Sequence, residues 1–130
     1  MNFSSFGFDQ RIAAAIAAAG YETPTPIQEK TIPATLAGKD VLGLAQTGTG
    51  KTAAFALPIF QRLLGGERCA IRALVISPTR ELAEQTHQAF EMLGKDTGFR
   101  STSMYGGVTV KSQVKTLKAR IPEIVVACPG

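Results

Sequence analysis

The chain is poor in the residues that usually mark cysteine-rich, metal-binding or membrane proteins. Its 130 residues include no tryptophan, one histidine and two cysteines. Cys69 and Cys128 provide neither a disulfide framework nor the ligand spacing of a zinc site. No apolar run approaches the roughly 20 residues that cross a bilayer, so we expect no membrane segment. The few cysteines and the absence of a basic leader favour a reducing, cytoplasmic location.

The composition is that of a folded domain. Hydrophobic residues make up 45% of the chain and charged residues 18%, which argues against a disordered or low-complexity protein. A length of 130 residues is typical of one domain.

The positive charge is concentrated near the end of the chain. The net charge is +4, yet residues 1–94 carry equal numbers of acidic and basic residues, so the excess lies in residues 95–130. A segregated basic region favours a polyanionic partner. A basic face that is merely solvated is an equally open alternative.

Five helices are predicted from caps, glycine stops and apolar spacing. Asp9 is expected to cap the first helix, over 11–20, and Thr25 the second, which ends at Gly38. The third helix is expected over 51–64. The fourth is expected to start at Ser77-Pro78, with an apolar face of Leu82, Thr86, Ala89, Phe90 and Leu93. The fifth has an apolar face of Val110, Val114 and Leu117. Pro58 is expected to kink or shorten the third helix.

Four short apolar runs predict strands between these helices. They are Val41–Ala45, Ala73–Ile76, the weaker Ser101–Tyr105, and Ile124–Ala127. Strands that alternate with helices indicate an α/β fold with a mostly parallel sheet flanked by helices.

The most specific motif is the segment AQTGTGKT at residues 45–52. It has the spacing of the phosphate-binding loop GxxxxGK[ST], with Ala45 in place of the first glycine. Gly48 and Gly50 let backbone N–H groups turn around a phosphate, and Lys51 adds a cation. The hydroxyl of Thr52 is suited to magnesium. The alternative is a glycine-rich turn that matches by chance.

Several ordered blocks resemble the DEAD-box ATP-dependent RNA helicases, most closely the bacterial RhlE-type members. They are Phe3, GYETPTPIQ at 20–28, AQTGTGKT at 45–52, PTRELA at 78–83, and Gly106-Gly107. Ala45 is usual in that family. The resemblance implies a P-loop NTPase (RecA-like) lobe that is truncated but forms a single domain. Residues 1–38 would be its helical Q-motif region, and residues 39–130 an incomplete ATP-binding core.

The resemblance also implies a site for ATP or ADP with magnesium. Gln28 would read adenine, with Phe3 and Tyr21 beside it. The phosphates would be bound by Gln46, Thr47, Gly48, Thr49, Gly50, Lys51 and Thr52. Lys51 and Thr52 would be the catalytic residues of this segment, with Thr52 also a magnesium ligand. The alternative role for Gln28 is a capping box, Thr25-x-x-Gln28, and for Phe3 it is core packing.

RNA-backbone contacts are implied at two further blocks, Pro78-Thr79-Arg80 and Gly106-Gly107. A capped helix and a plain turn are the alternatives there. Cys128-Pro129-Gly130 departs from the family's usual Thr-Pro-Gly-Arg, which weakens one expected phosphate contact. For the stripe Lys111, Lys115 and Lys118 the alternative role is solubility alone, and lone His87 has no evident partner.

The family's Asp-Glu-Ala-Asp block and its second RecA-like lobe are not found in these residues. We therefore expect this chain to bind adenine nucleotide without hydrolysing it, whereas the full-length protein would couple ATP hydrolysis to RNA unwinding. An incomplete sheet would expose an edge, which predicts self-association. The other function classes are a P-loop GTPase or small-molecule kinase, for which Asn-Lys-x-Asp is lacking, and a non-catalytic RNA-binding module.

Overall fold

Three α-helices precede the first strand, and three strands then alternate with two further α-helices, along residues 1–130, all of which the computed structural model describes. A short 3-10 turn at Phe3–Phe6 comes first. The elements in chain order are α1 (Gln10–Ala18), α2 (Pro26–Leu36), α3 (Lys51–Leu63), β1 (Ala73–Ile76), α4 (Arg80–Gly94), β2 (Ser101–Met104), α5 (Val110–Ala119) and β3 (Ile124–Ala127). None of these helices combines the length and the apolar character that spanning a bilayer demands.

The three strands form one parallel sheet in the order β1-β3-β2. β3 is central: Ile124 pairs with Ala73 on one side and with Ser101 on the other. All three strands therefore end at the same edge of the sheet, next to Ser77, Tyr105 and Cys128. The predicted α/β fold with a parallel sheet flanked by helices is confirmed.

The strand predicted over Val41–Ala45 is wrong. These residues form no strand, and Leu42 and Leu44 are 87% and 85% exposed. A buried strand needs a neighbouring strand on each side, and no strand of the sheet lies beside this segment. It lies against α2 instead, where a Cβ on Gly43 would stand 3.4 Å from the Ile27 Cδ1.

Most predicted helices are present, with local corrections. Asp9 accepts a hydrogen bond from the Arg11 amide, as an N-cap should. α4 begins at Arg80 rather than at Ser77-Pro78, because Thr79 is its N-cap and accepts from the Leu82 amide. α3 runs from Lys51 to Leu63 with Pro58 inside it, so the proline does not shorten the helix.

The core lies between α1, α3, α4 and the sheet. Three phenylalanines hold its centre, with Phe60 stacked on Phe99 and tilted against Phe90. A Cβ on Gly94 would strike the Phe60 ring, so α4 approaches α3 closely there. This contact turns Ala83, Phe90 and Leu93 inward and leaves Leu82 43% exposed, which corrects the apolar face predicted for this helix.

A buried carboxylate ties the amino ends of the strands together. Glu123 has no exposed surface. Its Oε1 accepts from the Arg100 amide at 2.9 Å and its Oε2 from the Cys69 amide at 2.6 Å. Two backbone donors offset part of the desolvation cost of the charge. Glu123 therefore joins the loops that precede all three strands.

We expect Glu123→Gln to lower the free energy of unfolding by about 1–3 kcal/mol. An amide offers one acceptor oxygen, so one of the two backbone N–H groups would face another donor. Urea unfolding measures the change, and Glu67→Gln at an exposed site is the control, expected within about 0.5 kcal/mol of the parent. Equal stability of both variants would contradict the role given to Glu123.

Candidate nucleotide site and the carboxyl edge of the sheet

The glycine-rich segment adopts a conformation that glycine makes possible. Gly48 and Gly50 both have φ of +82°, whereas Thr49 between them has no positive φ. Left-handed glycines in such a turn favour a backbone in which successive N–H groups point toward an anion. Thr49 Oγ1 donates to the Gln46 carbonyl oxygen at 2.6 Å and closes the turn.

The N-terminus of α3 is free of side-chain capping. Asp9, Thr79 and Thr109 accept backbone amides at the starts of α1, α4 and α5. The N-cap of α3 is Gly50, which has no side chain to accept its first-turn amides. Those amides and the positive end of the helix are suited to a phosphate, so the residues present fit a nucleotide.

Gln28 connects the N-terminal helical region to this segment. Its Nε2 donates to the Gly50 carbonyl oxygen at 3.1 Å, and its Oε1 accepts from the Thr25 amide at 3.0 Å. The side chain is 3% exposed. The bond from the Thr25 amide to Gln28 is the glutamine half of the capping box that was the alternative role for Gln28. Each amide atom still has one free bonding position, since an amide offers two lone pairs and two N–H groups.

Gly50 is enclosed by the residues around Gln28. A Cβ at this position would collide with the Gln28 amide nitrogen and would stand 3.2 Å from Thr25 Oγ1. That hydroxyl is buried without a hydrogen-bond partner. Thr25 and Gln28 are therefore placed as a capping box, with a hydrogen bond formed on the Gln28 side, and the Thr25 hydroxyl lies beside the glycine-rich segment.

Lys51 and Thr52 begin α3, as the motif predicts. Lys51 is exposed and borders a cavity of about 210 Å³ between α2 and α3, together with Val41 and Gly43. Thr52 is partly exposed. No cluster of three histidine, cysteine or acidic residues is present. The predicted magnesium site therefore depends on the Thr52 hydroxyl and on the phosphates of a nucleotide.

Phe3 and Tyr21 lie together, but not at the glycine-rich segment. Their rings stack with centroids 6.2 Å apart, and Phe3 is 8% exposed. Both line a cavity of about 430 Å³ that shares no residue with the cavity beside Lys51. Core packing thus accounts for Phe3 in this structure, and its adenine contact stays a prediction.

The second group of predicted residues meets at the carboxyl edge of the sheet. The Arg80 Nη1 donates to the Gly106 carbonyl oxygen at 3.4 Å and would stand 2.5 Å from a Cβ on Gly107. A Cβ on Gly106 would strike the Gly130 carbonyl oxygen. The two glycines therefore allow three loops to pack together, with Pro78, Thr79 and Arg80 exposed.

The sequence did not reveal the polar residues that support Arg80. Glu84, one turn further along α4, accepts a hydrogen bond from Ser103. The hydroxyls of Ser103 and then Tyr105 hold the pKa of Glu84 below its ordinary value, and Glu84 in turn raises the pKa of Tyr105. The Tyr105 ring lies 5.9 Å from the Arg80 guanidinium carbon. The only sequence signal for the group formed by Glu84, Ser103 and Tyr105 is the i, i+4 spacing of Arg80 and Glu84.

His87 has two partners, contrary to the sequence-based expectation of none. Its Nδ1 lies 2.9 Å from Ser101 Oγ, and its Nε2 lies 2.6 Å from Glu91 Oε1. Ser101 is on β2 and Glu91 is one turn along α4, so His87 helps join helix to strand.

Comparisons with known proteins agree with the geometry. Residues 25–130 match the family model described as DEAD/DEAH box helicase. The chain is 52% identical over 130 residues to the ATP-dependent RNA helicase CshA of Limosilactobacillus reuteri, covering 100% of this chain and 26% of that protein. It is 46% identical over 129 residues to the DEAD-box ATP-dependent RNA helicase RhpA of Helicobacter pylori, covering 99% and 26%. The chain spans about a quarter of the length of these curated relatives.

Solved structures show the same fold. A DEAD box protein from Methanococcus jannaschii matches with a TM-score of 0.90 and 36% identity, over 100% of this chain and 35% of that one. The RNA helicase Prp28 of Chaetomium thermophilum, bound to ADP, matches with a TM-score of 0.88 and 36% identity, over 99% of this chain and 32% of that one. The predicted RecA-like helicase fold is confirmed.

The enclosure of Gly50 predicts a difference between two otherwise similar substitutions. Gly48→Ala and Gly50→Ala each place a side chain at φ +82°, which costs about 1–2 kcal/mol. Gly48 has nothing within 4 Å of its added Cβ, whereas Gly50 has the Gln28 amide. We expect Gly50→Ala to be the more destabilising in urea unfolding.

A double-mutant cycle isolates the contact. Gln28→Ala removes the group that the new methyl strikes, so Gly50→Ala should cost less free energy of unfolding in the Gln28→Ala background than in the parent. Strict additivity of the two substitutions would rule out the contact.

Proposed function

Because this chain belongs to the DEAD/DEAH box helicase family, we propose that it is the ATP-binding and RNA-contacting portion of an ATP-dependent RNA helicase. The observation that carries the proposal is the start of α3, where two left-handed glycines and an uncapped helix end leave backbone amides available. Anion binding is the chemistry that such a helix end favours. The chain covers about a quarter of its relatives' length, so duplex unwinding is proposed for the longer protein.

Each residue of the segment 46–52 has a distinct part in phosphate binding. Backbone amides of Gln46, Thr47, Gly48, Thr49 and Gly50 surround the phosphates, and Lys51 supplies a compact positive charge. The Thr52 hydroxyl would hold magnesium, which neutralises phosphate charge when it is bound. Lys51 and Thr52 thereby contribute to catalysis by positioning and charge.

Gln28 is proposed to read adenine from its present position. An amide gives one donor and one acceptor, which complement the N7 acceptor and the N6 amino donor of adenine. Gln28 holds the Gly50 carbonyl oxygen at the same time, so the base site and the phosphate site are mechanically joined. This supports the division into a helical Q-motif region, residues 1–38, and a core, residues 39–130. Phe3 and Tyr21 complete the base site only if the nucleotide reaches their stacked rings.

RNA is proposed to bind by its backbone at the carboxyl edge of the sheet. Pro78 and Thr79 precede α4, whose positive end and Arg80 suit a phosphate. Gly106 and Gly107 leave the main chain bare for close approach. Cys128 offers a poor donor where a hydroxyl is usual in the family.

The chain alone is not expected to hydrolyse the nucleotide. Phosphoryl transfer depends on carboxylates that hold metal and water, and these 130 residues contain no Asp-Glu-Ala-Asp sequence. The proposal is therefore nucleotide binding without turnover.

Nucleotide titration by calorimetry tests the first part. With magnesium present we expect ADP to bind more tightly than GDP by about 5- to 150-fold, since a bidentate base contact is worth about 1–3 kcal/mol. Lys51→Ala should abolish most of the affinity, while Lys39→Ala, with the same loss of charge outside the segment, should not. Equal affinity for ADP and GDP would contradict the adenine-reading role of Gln28. Measurable ATP hydrolysis by the parent chain that is lost in Lys51→Ala would contradict the expectation of no turnover.

Salt dependence of RNA binding tests the second part. Loss of one phosphate contact in Arg80→Ala should lower the slope of log K against log salt by about 0.7 for single-stranded RNA. Fluorescence anisotropy with an oligouridylate measures the slope, and Arg62→Ala provides the charge-matched control. An unchanged slope in Arg80→Ala would remove Arg80 from the interface.

A further inference from the structure

A polar groove runs between β2 and α5, away from the glycine-rich segment. It consists of two adjoining cavities of about 160 and 470 Å³, both of which include Thr102 and Thr116 in their walls. The smaller cavity reaches Tyr105, immediately before Gly106, and Val108 just after Gly107. The groove therefore opens at the edge where the RNA backbone is proposed to bind.

The other end of the groove is strongly basic. Arg100, Lys115 and Arg120 border the larger cavity, and no acidic residue does. The two ion pairs in the structure involve other residues, Arg11 with Asp9 and His87 with Glu91. The three basic side chains are on exposed residues and make no hydrogen bond within the chain, so their charges are available to a partner.

We propose that this groove is a second contact site for the RNA backbone. An RNA strand bound at the Gly106-Gly107 loop would continue along the groove to Arg100, Lys115 and Arg120. This inference rests on the proposed RNA binding at the carboxyl edge. Strand β2 and the residues that flank it span about 17 Å from Arg100 to Tyr105, at about 3.3 Å per residue. Only an RNA strand long enough to cover this distance would therefore occupy both ends of the groove.

Two observations favour RNA over an acidic peptide, and a third, the positive charge, suits either partner. The groove continues directly from a loop already proposed to hold phosphates. Its middle is lined by hydroxyl groups, among them those of Thr102, Ser112 and Thr116, which suit sugar and phosphate oxygens. Its cations lie at one end, and they belong to the stretch 95–130 that carries the whole net charge of +4.

The test is the double variant Arg100→Ala/Arg120→Ala. The side chain of Arg100 can be removed without loss of its backbone bond to Glu123, so the fold is preserved. Anisotropy is measured with a short and a long oligouridylate over a series of salt concentrations. With the long oligomer we expect the slope of log K against log salt to fall by about 1.4, two contacts at about 0.7 each. With the short oligomer the slope should not change.

The control is Lys39→Ala/Arg62→Ala, which removes the same charge elsewhere and should leave both slopes unchanged. Thermal unfolding checks that both double variants are folded. If the groove variant behaves like the control while Arg80→Ala weakens both oligomers, the groove proposal is overturned and the proposed function stands. If Arg80→Ala also has no effect, the proposed RNA site itself fails. Polyglutamate is added as a competitor of the long oligomer. If it displaces the oligomer more strongly than unlabelled RNA does, and if this depends on Arg100 and Arg120, the groove binds an acidic peptide and the proposal is overturned.

Discussion

One constraint shapes the candidate nucleotide site: the chain enters α3 through a left-handed glycine whose carbonyl oxygen accepts a hydrogen bond from Gln28. Gly50 has to be glycine for two reasons, its φ of +82° and the Gln28 amide that occupies the space of a Cβ. The same geometry leaves the first amides of α3 without a side-chain cap. The proposed phosphate site and its connection to the preceding helical region thus both depend on one residue.

The sequence predicted this segment well because its signals are local. The glycines, the lysine and the start of α3 are all within seven residues, and cap residues such as Asp9 and Thr79 act on amides two or three positions away. The hydrogen bond from Gln28 to Gly50 spans 22 positions, so no local pattern contains it. The sequence left two roles open for Gln28, helix capping and adenine recognition. In the structure its side chain caps α2 and also contacts the glycine-rich segment.

The errors have the same origin. Val41–Ala45 has the composition of a buried strand, but pairing depends on a neighbour that composition does not specify. Leu82 fits a helical apolar face, yet the close approach of Gly94 to Phe60 sets which face of α4 is buried. Glu123 and the group formed by Glu84, Ser103 and Tyr105 are also long-range arrangements. Their residues are ordinary in sequence and become informative only through their contacts.

The two ends of the sheet carry different chemistry. At the carboxyl edge, glycines and Arg80 bring three loops into contact, while at the amino end Glu123 fixes the loops and Arg100 faces outward. A nitrogen-15 NMR titration with magnesium and ADP tests the central claim most directly. The account predicts that the backbone amides of residues 46–52 and the side-chain amide of Gln28 shift together at one affinity. Shifts confined to other residues, with Gly50 and Gln28 unmoved, would contradict it.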